Sequence, residues 1–499
     1  MVTSTTRALV LAAGKSSRFK TKKSKLLSNI CGQEMLLYPL RALEAHNIPI
    51  TLILGHQAEE VEAAVKAAAV KDVSIILQKE QLGTGHAVLC SQETWDADNI
   101  LILYGDMPLI NKEIIEQLLT EHARSGAAIT MSTAYVLDPA GYGRVLEHDG
   151  VVEIVEEKNC TAEQRLVNRI NAGVYVMRKD FLASHITQLH KNAVTGELYL
   201  TDLIAMASQE KLGVKTVSVP YDVVRGVNTL QDLWGVEQIK RSEFIKLWMA
   251  EGVRFELAQS IHIDINVKIG AGSFIGTGVH LLGNTVIGEE CFVGAFTIIE
   301  DSIIAENTTI HSHSVVQHST IGSNVHVGPF ARLRQNVTVG NDVQIGNFVE
   351  VKTATIGQTS KVKHLSYLGD ATLGASVNIG AGTVTCNYDG VKKSETVIED
   401  GAFVGSNNTL IAPIAVGKNA YTAAGSVVNM DVPEDALAIG RTRQENKLGH
   451  AKKLREAMKK ESSKAHIEKM KPICHDGDDE IIQFRGAVKT DPDQKIGFE

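Results

Sequence analysis

The densest set of chemistry-bearing side chains lies between residues 329 and 408. Pro329-Phe-Ala-Arg-Leu-Arg334 and Asn347-Phe-Val-Glu350-Val-Lys352 carry charges on short aliphatic segments. Lys363-His364-Leu-Ser-Tyr367-Leu-Gly-Asp370 follows, then Asn378-Ile-Gly-Ala-Gly-Thr and Thr385-Cys-Asn387-Tyr388-Asp389-Gly390. An imidazole, with an ordinary pKa of ~6.5, can take a proton at neutral pH, which makes His364 a candidate base. A lone histidine is more often a solvated side chain, so its neighbours must argue the case. The last segment runs on through Lys392 and Lys393 and reads as a loop, a common carrier of function on a rigid scaffold.

A second set lies near the N-terminus. Leu11-Ala-Ala-Gly14-Lys-Ser-Ser-Arg18-Phe ends an apolar run, with Lys25 shortly after. A glycine-containing loop at the carboxyl end of a first parallel strand is where open α/β sheets bind nucleotides, and its backbone N–H groups can cradle phosphate. Arg18 and Lys25 would offset triphosphate charge. The plain reading is an exposed turn with solvated basic residues. Two further segments weigh against it: the polar, glycine-rich turn Gln78-Lys-Glu-Gln-Leu-Gly83-Thr84-Gly85-His86, and Asp106 after the apolar run Leu101-Ile-Leu-Tyr104-Gly105. Asp106 could cap the next helix; opposite a phosphate loop it is better placed to hold Mg²⁺.

The elements that must position these residues are legible as patterns. Apolar runs at Ala8–Ala12, Ile50–Leu54, Val73–Leu77 and Ile100–Tyr104 read as parallel strands covered on both faces. Amphipathic stretches at about 33–46, 57–70 and 111–124 separate them and give repeated βαβ units. Residues 229–250 read as one helix linking this domain to the next. From Ile263 to about Val416 an aliphatic residue followed by glycine or another small residue recurs in steps of six, as in Ile269-Gly270 and Ile275-Gly276, or Val339-Gly340 and Ile345-Gly346. That register specifies a left-handed parallel β-helix, with the aliphatic residue inward and a small residue at the corner. A repeat of ~18 residues predicts roughly nine coils at ~4.8 Å each. The expected organisation is 1–229, an α/β nucleotidyltransferase-like (Rossmann-like) domain; 230–252, a linker helix; 253–440, the β-helix of hexapeptide repeats; and 441–499, a basic helix and polar tail.

Bulk properties exclude several classes. A net charge of −8 argues against wholesale nucleic-acid or membrane binding, and no apolar run approaches the ~18 residues of a membrane span. The six cysteines are scattered, with no CxxC spacing, so a reduced, cytoplasmic protein is expected. Residues 441–471 hold eleven basic against four acidic side chains at helical spacing and read as a solvated helix lying on a neighbouring subunit. Between Val293-Gly294 and Pro329 the chain carries His311, His313 and His318, whose spacing suggests a structural coil more than a metal site.

These segments, in this order, resemble the bacterial bifunctional UDP-N-acetylglucosamine pyrophosphorylases/glucosamine-1-phosphate N-acetyltransferases, from about residue 7 to 445. The resemblance implies an enzyme that acetylates glucosamine-1-phosphate with acetyl-CoA. It then transfers uridylyl from UTP to N-acetylglucosamine-1-phosphate with Mg²⁺, releasing pyrophosphate. It implies uridine-binding groups at Leu11, Ala13, Gly14, Gln78, Gly83 and Thr84, with Tyr104 and Gly105 beside them. Sugar would meet Gly143, Glu156 and Asn171, metal would sit on Asp106 and Asn228, and Arg18 and Lys25 would neutralise charge. In the β-helix it implies His364 as base, Glu350 to orient or polarise it, and Tyr388 or a backbone N–H for the oxyanion. Arg334, Lys352 and Lys393 would grip the sugar phosphate, Tyr367, Asn378 and Asn387 the sugar. Acetyl-CoA would contact Ala381, Asn387, Tyr388, Ser406, Ala424 and Arg441. A homotrimer with shared acetyl-transfer sites is the implied assembly. The first loop departs from the family's Gly-x-Gly-Thr-x-Met and from its proline before the lysine. Ser16, Ser17, Phe19 and Ser24 stand there instead, which bears on rate and nucleotide choice and leaves an alternative: an acetyltransferase whose N-terminal half is altered or disabled.

Overall fold

The computed structural model describes residues 5–14, 17–21, 23–148, 151–193 and 195–469, without the side chains of Ser17 and residues 467–469. Ser16 and the stretch Pro472–Glu499 lie outside the described residues. The chain divides into residues 1–440 and 441–499.

In the first part, β1 (Thr6–Ala12), β2 (Ile50–Leu54), β3 (Val73–Leu77) and β4 (Asn99–Tyr104) are parallel neighbours, with β1 between β2 and β4. They alternate with α1 (Leu37–Glu44), α2 (Ala58–Ala67), α3 (Thr84–Cys90) and α4 (Lys112–Ser125). Three of the four apolar runs are covered on both faces as expected, every residue of β2 being buried. The run Val73–Leu77 is not: it forms the edge strand β3, with Ser74 and Leu77 exposed and the rest half-buried, because nothing packs beyond the end of the sheet. The stretch from 33 opens instead as a two-residue strand, Gln33–Glu34, and becomes helical at Leu37. The rest of the sheet was not foreseen. β5 (Ile129–Tyr135), a hairpin of β6 (Arg144–His148) and β7 (Val151–Val155), β8 (Arg169–Arg178) and β9 (Val214–Ser218) complete it in the order β9-β5-β8-β4-β1-β2-β3. β8 runs antiparallel to both neighbours. It carries the hairpin beside the carboxyl ends of the parallel strands, where a ligand in an open sheet is met.

Helix α5 (Leu230–Ala250) starts at a capping box, in which the Thr229 hydroxyl accepts from the Asp232 N–H while the Asp232 carboxylate accepts from the Thr229 N–H. Its Val236 belongs to the core of the α/β sheet and its Ile245 to the core of the β-helix, so one helix is packed into both. A second joint lies at the turn Cys31-Gly32, where the Ile265 N–H donates to the Cys31 carbonyl over 2.9 Å. Gly32 there has φ +84°, and a Cβ would stand 2.6 Å from the Asp264 carboxyl carbon; only glycine fits both constraints.

From Arg254 the chain winds into a parallel β-helix. One face is an 11-stranded ladder running from Arg254–Phe255 to Leu437–Ala438, more coils than the nine expected because winding starts earlier and ends later than the clear hexads. The inward column Ile275, Val293, Ile310, Val327, Ile345, Val362, Ile379 and Val404 is buried throughout, and each such side chain contributes roughly 1.5–3 kcal/mol of hydrophobic stabilisation. Successive strands on this face start 16 to 18 residues apart over most of its length, but 25 separate Asn378 from Phe403. The excess is the loop through Tyr388 and Lys393, which closes on itself by a bridge between those two residues.

The segment near 306–318 makes a regular coil, with Thr309–Ile310 pairing to Phe292–Val293 below and His326–Val327 above. Its histidines diverge. His311 stacks on His326, His313 stacks between Phe296 and Phe330, and His318 reaches Asp301 at 3.7 Å. In the second part, the helix spans His450–Lys469; residues 441–449, expected to be helical, are not, and Gly449 precedes the helix with φ +72°.

Candidate active sites

The carboxyl ends of β1 and β4 frame a cavity of about 560 Å³. Leu11, Ala13, Gly14, Lys25, Gln78, Gly83, Thr84, Tyr104 and Asp106 line it, as expected, and Gln81 and Glu197 join them. The glycine-rich turn is held from a distant part of the chain. Leu200 N–H donates to Thr84 Oγ1 at 3.0 Å, and Leu198 O accepts from Gly85 N–H at 2.8 Å. Gly83 has φ +105°, and a Cβ would meet Leu198 O at 2.5 Å, so the close approach requires glycine. Gln78 is 3% exposed, its amide donating to Gly83 O at 3.1 Å and meeting His86 Nδ1 at 3.0 Å. Glu197 carried no sequence signal, because only the fold brings the 197–200 segment to this turn.

Lys25, Asp106 and Asn228 converge. The Lys25 ammonium lies 2.6 Å from Asp106 Oδ2, 2.9 Å from Val227 O and 3.4 Å from Asn228 Oδ1, while Arg18 Nη2 donates to Asn228 Oδ1 at 2.9 Å. Two hard oxygen donors thus point at one spot filled by a cation. A carboxylate and an amide oxygen suit Mg²⁺, which takes one or two protein oxygens and completes its shell with substrate phosphate and water. Among the described residues no group of three or more His, Cys, Asp or Glu side chains could hold a metal ion by itself. Asp232, missed in the sequence, fixes this corner: its Oδ2 accepts from the N–H groups of Asn228 and Thr229.

Gly143, Glu156 and Asn171 form a further group. Asn171 N–H donates to Gly143 O at 2.8 Å, and a Cβ on Gly143 would stand 3.5 Å from the Glu156 carboxylate oxygens. The Asn171 side chain is fixed at both ends, donating to Tyr175 Oη and accepting from Gly173 N–H. Burial pushes the Glu156 carboxyl above its ordinary pKa, partly offset by a hydrogen bond from Thr201, with Asp202 and Glu197 adding to the rise. Burial likewise raises the Tyr104 phenol. Gly105 supports from behind, its N–H donating to Leu11 O at 2.9 Å. In the altered first loop, Phe19 is buried in the sheet's core and Ser24 holds φ −58°, the value a prolyl ring imposes. The loop therefore keeps a proline-like backbone without proline.

In the β-helix, coil stacking builds a cationic shelf. Arg334, Lys352 and Gly369 sit in register on successive coils. The Lys393 ammonium from the extruded loop lies close enough to hold the Lys352 pKa below its ordinary value, with partial desolvation and Arg334 adding to the effect and Asp370 opposing it. A cluster of cations that repel one another in the free protein suits an anionic ligand. Asn387 Nδ2 donates to Asp370, and Tyr367 lies in register with Glu350. The Tyr388 hydroxyl donates to Gly390 O at 2.6 Å, inside its own turn. Ala381, Ser406 and Ala424 form a column, with Asn407 N–H donating to Ala381 O and Gly425 N–H to Ser406 O. Asn378 lies one coil above Lys361. Arg441 belongs to the second part of the chain and is exposed.

His364 is exposed on the strand Lys361–His364, one coil above Asn347. Its expected partner is engaged elsewhere: Glu350 Oε1 accepts from Arg334 Nε at 2.8 Å and lies 2.7 Å from Arg334 Nη2. The imidazole meets Asn347 instead, Nδ1 to Oδ1 at 3.1 Å. A cleft of about 530 Å³ runs from His364 and Lys363 past Phe330 and Phe348 to His311 and His326.

Residues 8–149 match the MobA-like NTP transferase domain, and residues 247–351 the LbH domain of EIF2B subunit epsilon. A "Bifunctional protein GlmU" of Fervidobacterium nodosum is 42% identical over 91% of this chain and 98% of that protein. The protein of the same name from Thermosipho africanus is 43% identical over 88% of this chain and 95% of its own length. That of Trichlorobacter lovleyi is 42% identical over 90% and 98%.

Proposed function

The chain belongs to the bifunctional GlmU family, and from that membership together with the two sites we infer that it acetylates glucosamine-1-phosphate and then uridylylates the product. The observation that carries the reading is that one chain, alignable over 98% of a bifunctional relative, keeps polar machinery in both halves. No observation favours a disabled N-terminal half, since Lys25 lies within hydrogen-bonding reach of both Asp106 and Asn228.

In the uridylyl step, a phosphate oxygen of N-acetylglucosamine-1-phosphate attacks the α-phosphorus of UTP in line and the bond to pyrophosphate breaks. The chain's task is to position and to neutralise charge. Gln78, Gly83 and Thr84 hold the base, Gly14 leaves open space for phosphate, and Gly143, Glu156 and Asn171 orient the sugar. Asp106 and Asn228 would hold Mg²⁺, which supplies further neutralisation of the triphosphate. Lys25 and Arg18 then turn their charge to the phosphates.

In the acetyl step, Arg334, Lys352 and Lys393 hold the substrate's phosphate, and Tyr367, Asn378 and Asn387 its sugar. The lone pair of the neutral substrate amine attacks the thioester carbonyl, His364 Nε2 takes the proton that the nitrogen sheds as the C–N bond forms, and the tetrahedral oxyanion forms beside the backbone of Tyr388. Collapse breaks the C–S bond, and the thiolate leaves with the proton held on Nε2. Ala381, Ser406 and Ala424, a column on successive coils, line the path of acetyl-CoA. Glu350 serves this step by fixing Arg334.

The division at 229, 252 and 440 assigns uridylyl transfer to the first segment and acetyl transfer to the third. We place the enzyme in the cytoplasm, as a homotrimer. The exposed apolar corner formed by Phe296, Phe330, Phe348 and Leu365 supports assembly, as a strip that a second copy would bury. Among the described residues no helix is long and apolar enough to cross a membrane.

The test follows both products on one preparation, thiol release from acetyl-CoA and pyrophosphate release from UTP. His364→Ala abolishes the first and spares the second; loss of both would make His364 a structural residue.

A further inference from the structure

We propose that Asn347 is a positioning residue for acetyl transfer. Its amide oxygen accepts a hydrogen bond from His364 Nδ1 and so fixes the tautomer in which Nε2 carries the lone pair that takes the substrate's proton. The inference rests on the reading of His364 as the base.

The geometry confines the ring through two coils. Asn347 and His364 are register partners, and the ring's one side-chain hydrogen bond among the described residues is the 3.1 Å contact between Nδ1 and Asn347 Oδ1. The backbone beside the ring is tied to the same residue, since Leu365 N–H donates to Asn347 O at 3.1 Å. Ser366 Oγ donates to the His364 carbonyl at 2.8 Å. Just before Asn347, Gly346 lets the coils close: a Cβ there would stand 1.8 Å from the Lys363 carbonyl oxygen. The pair is therefore held by the scaffold on both sides.

The chemistry follows from what each group can do. A neutral imidazole has one N–H and one lone pair, and an amide oxygen only accepts. With the proton on Nδ1, the lone pair is on Nε2, the nitrogen turned away from Asn347. An exposed ring without such a partner divides its time between tautomers and rotamers, and only part of that population can take the proton. The carboxylate that might have done this work, Glu350, is bound by Arg334. The other titratable groups beside the ring are Lys363 on its own strand and His311 and His326 along the cleft. Burial and the neighbouring His326 hold the His311 pKa below its ordinary value.

The experiment uses the full-length enzyme and the variants Asn347→Ala, Asn347→Asp and His364→Ala. Acetyl transfer from acetyl-CoA to glucosamine-1-phosphate is measured across pH, with uridylyl transfer on the same preparations reporting the fold. Asn347→Ala is expected to lower kcat for acetyl transfer roughly 100-fold, with KM for both substrates nearly unchanged. Asn347→Asp keeps an acceptor opposite Nδ1, so it restores most of the rate at high pH. Its negative charge favours the imidazolium, so the acid limb of its profile moves to higher pH. Wild-type kcat in Asn347→Ala would overturn the proposal. So would an Asn347→Asp enzyme as slow as Asn347→Ala at every pH, because the amide would then be donating rather than accepting. Acetyl transfer retained by His364→Ala would overturn the base assignment itself, and this inference with it. An inactive His364→Ala beside a normal Asn347→Ala would sink the positioning role alone.

Discussion

Gly346→Ala tests whether the hexad glycine beside the proposed base His364 is there for packing or for catalysis. An alanine Cβ would stand 1.8 Å from the Lys363 carbonyl oxygen and 2.5 Å from its carbon. Ordinary contact begins near 3.4 Å, so the coils must part by 1.6 Å along that line. That is about a third of the ~4.8 Å rung spacing. The 3.1 Å bond from Leu365 N–H to Asn347 O crosses the same gap and would pass out of hydrogen-bonding range. Losing one or two such bonds at ~1 kcal/mol each, plus ~1–3 kcal/mol of overpacking strain, gives a local cost of about 2–5 kcal/mol. The long ladders on both sides of the coil confine the distortion. Ala305 and His311 follow the inward residues Ile304 and Ile310 in the same way as Gly346 follows Ile345, so a side chain at this corner is tolerated where the next coil does not press so close. His364 ends the displaced strand, and a shift of about 1 Å can cost roughly 100-fold in rate. The assay is the ratio of acetyl to uridylyl transfer on one preparation, expected to fall about two orders of magnitude with uridylyl transfer unchanged. Acetyl transfer within threefold of wild type would refute the argument from close approach. Loss of both activities with collapse of the far-ultraviolet dichroism would refute the claim that the strain stays local.

Asp106→Ala removes the carboxylate from a pair whose lysine is only 11% exposed, and should destabilise the N-terminal domain by about 2–3 kcal/mol in urea melts while abolishing uridylyl transfer; a variant as stable as wild type would show that Lys25 does not depend on this contact. Lys393→Gln relieves the repulsion that lowers the Lys352 pKa, so Lys352 stays protonated to higher pH. The alkaline rise in KM for glucosamine-1-phosphate should therefore move to higher pH, although the remaining affinity is weaker; an unmoved limb would separate the two lysines. Ser24→Pro, at φ −58°, should stabilise by up to about 1 kcal/mol and leave uridylyl transfer intact, and clear destabilisation in a thermal melt would contradict the proline-like backbone.

The sequence alone determined the first four strands of the sheet, the helices between them and the columns of the β-helix. A six-residue register has one economical solution, in which Ile275, Val293 and Ile345 stack inward, and an apolar run such as Ile50–Leu54 has to be covered on both faces. It also marked Asp106, Lys25, Arg334, Lys352 and His364, because charges or a base at strand ends and coil corners have little structural reason to be there. What it could not decide was who meets whom. Glu350 and His364 are close in sequence, but adjacent strands of a coil send their side chains to different faces, and Glu350 is taken by Arg334 while Asn347 reaches the ring from the coil below. Glu197 arrives beside the glycine-rich turn through chain reversals that leave no local pattern, whereas Asp232 is set beneath Asn228 by the local Thr229-Leu-Gln-Asp232 capping box, a signal the sequence did carry. Local periodicity is written by each segment's own need to bury apolar surface; partner choice depends on packing between segments distant in sequence, and that is fixed only when the whole chain has folded.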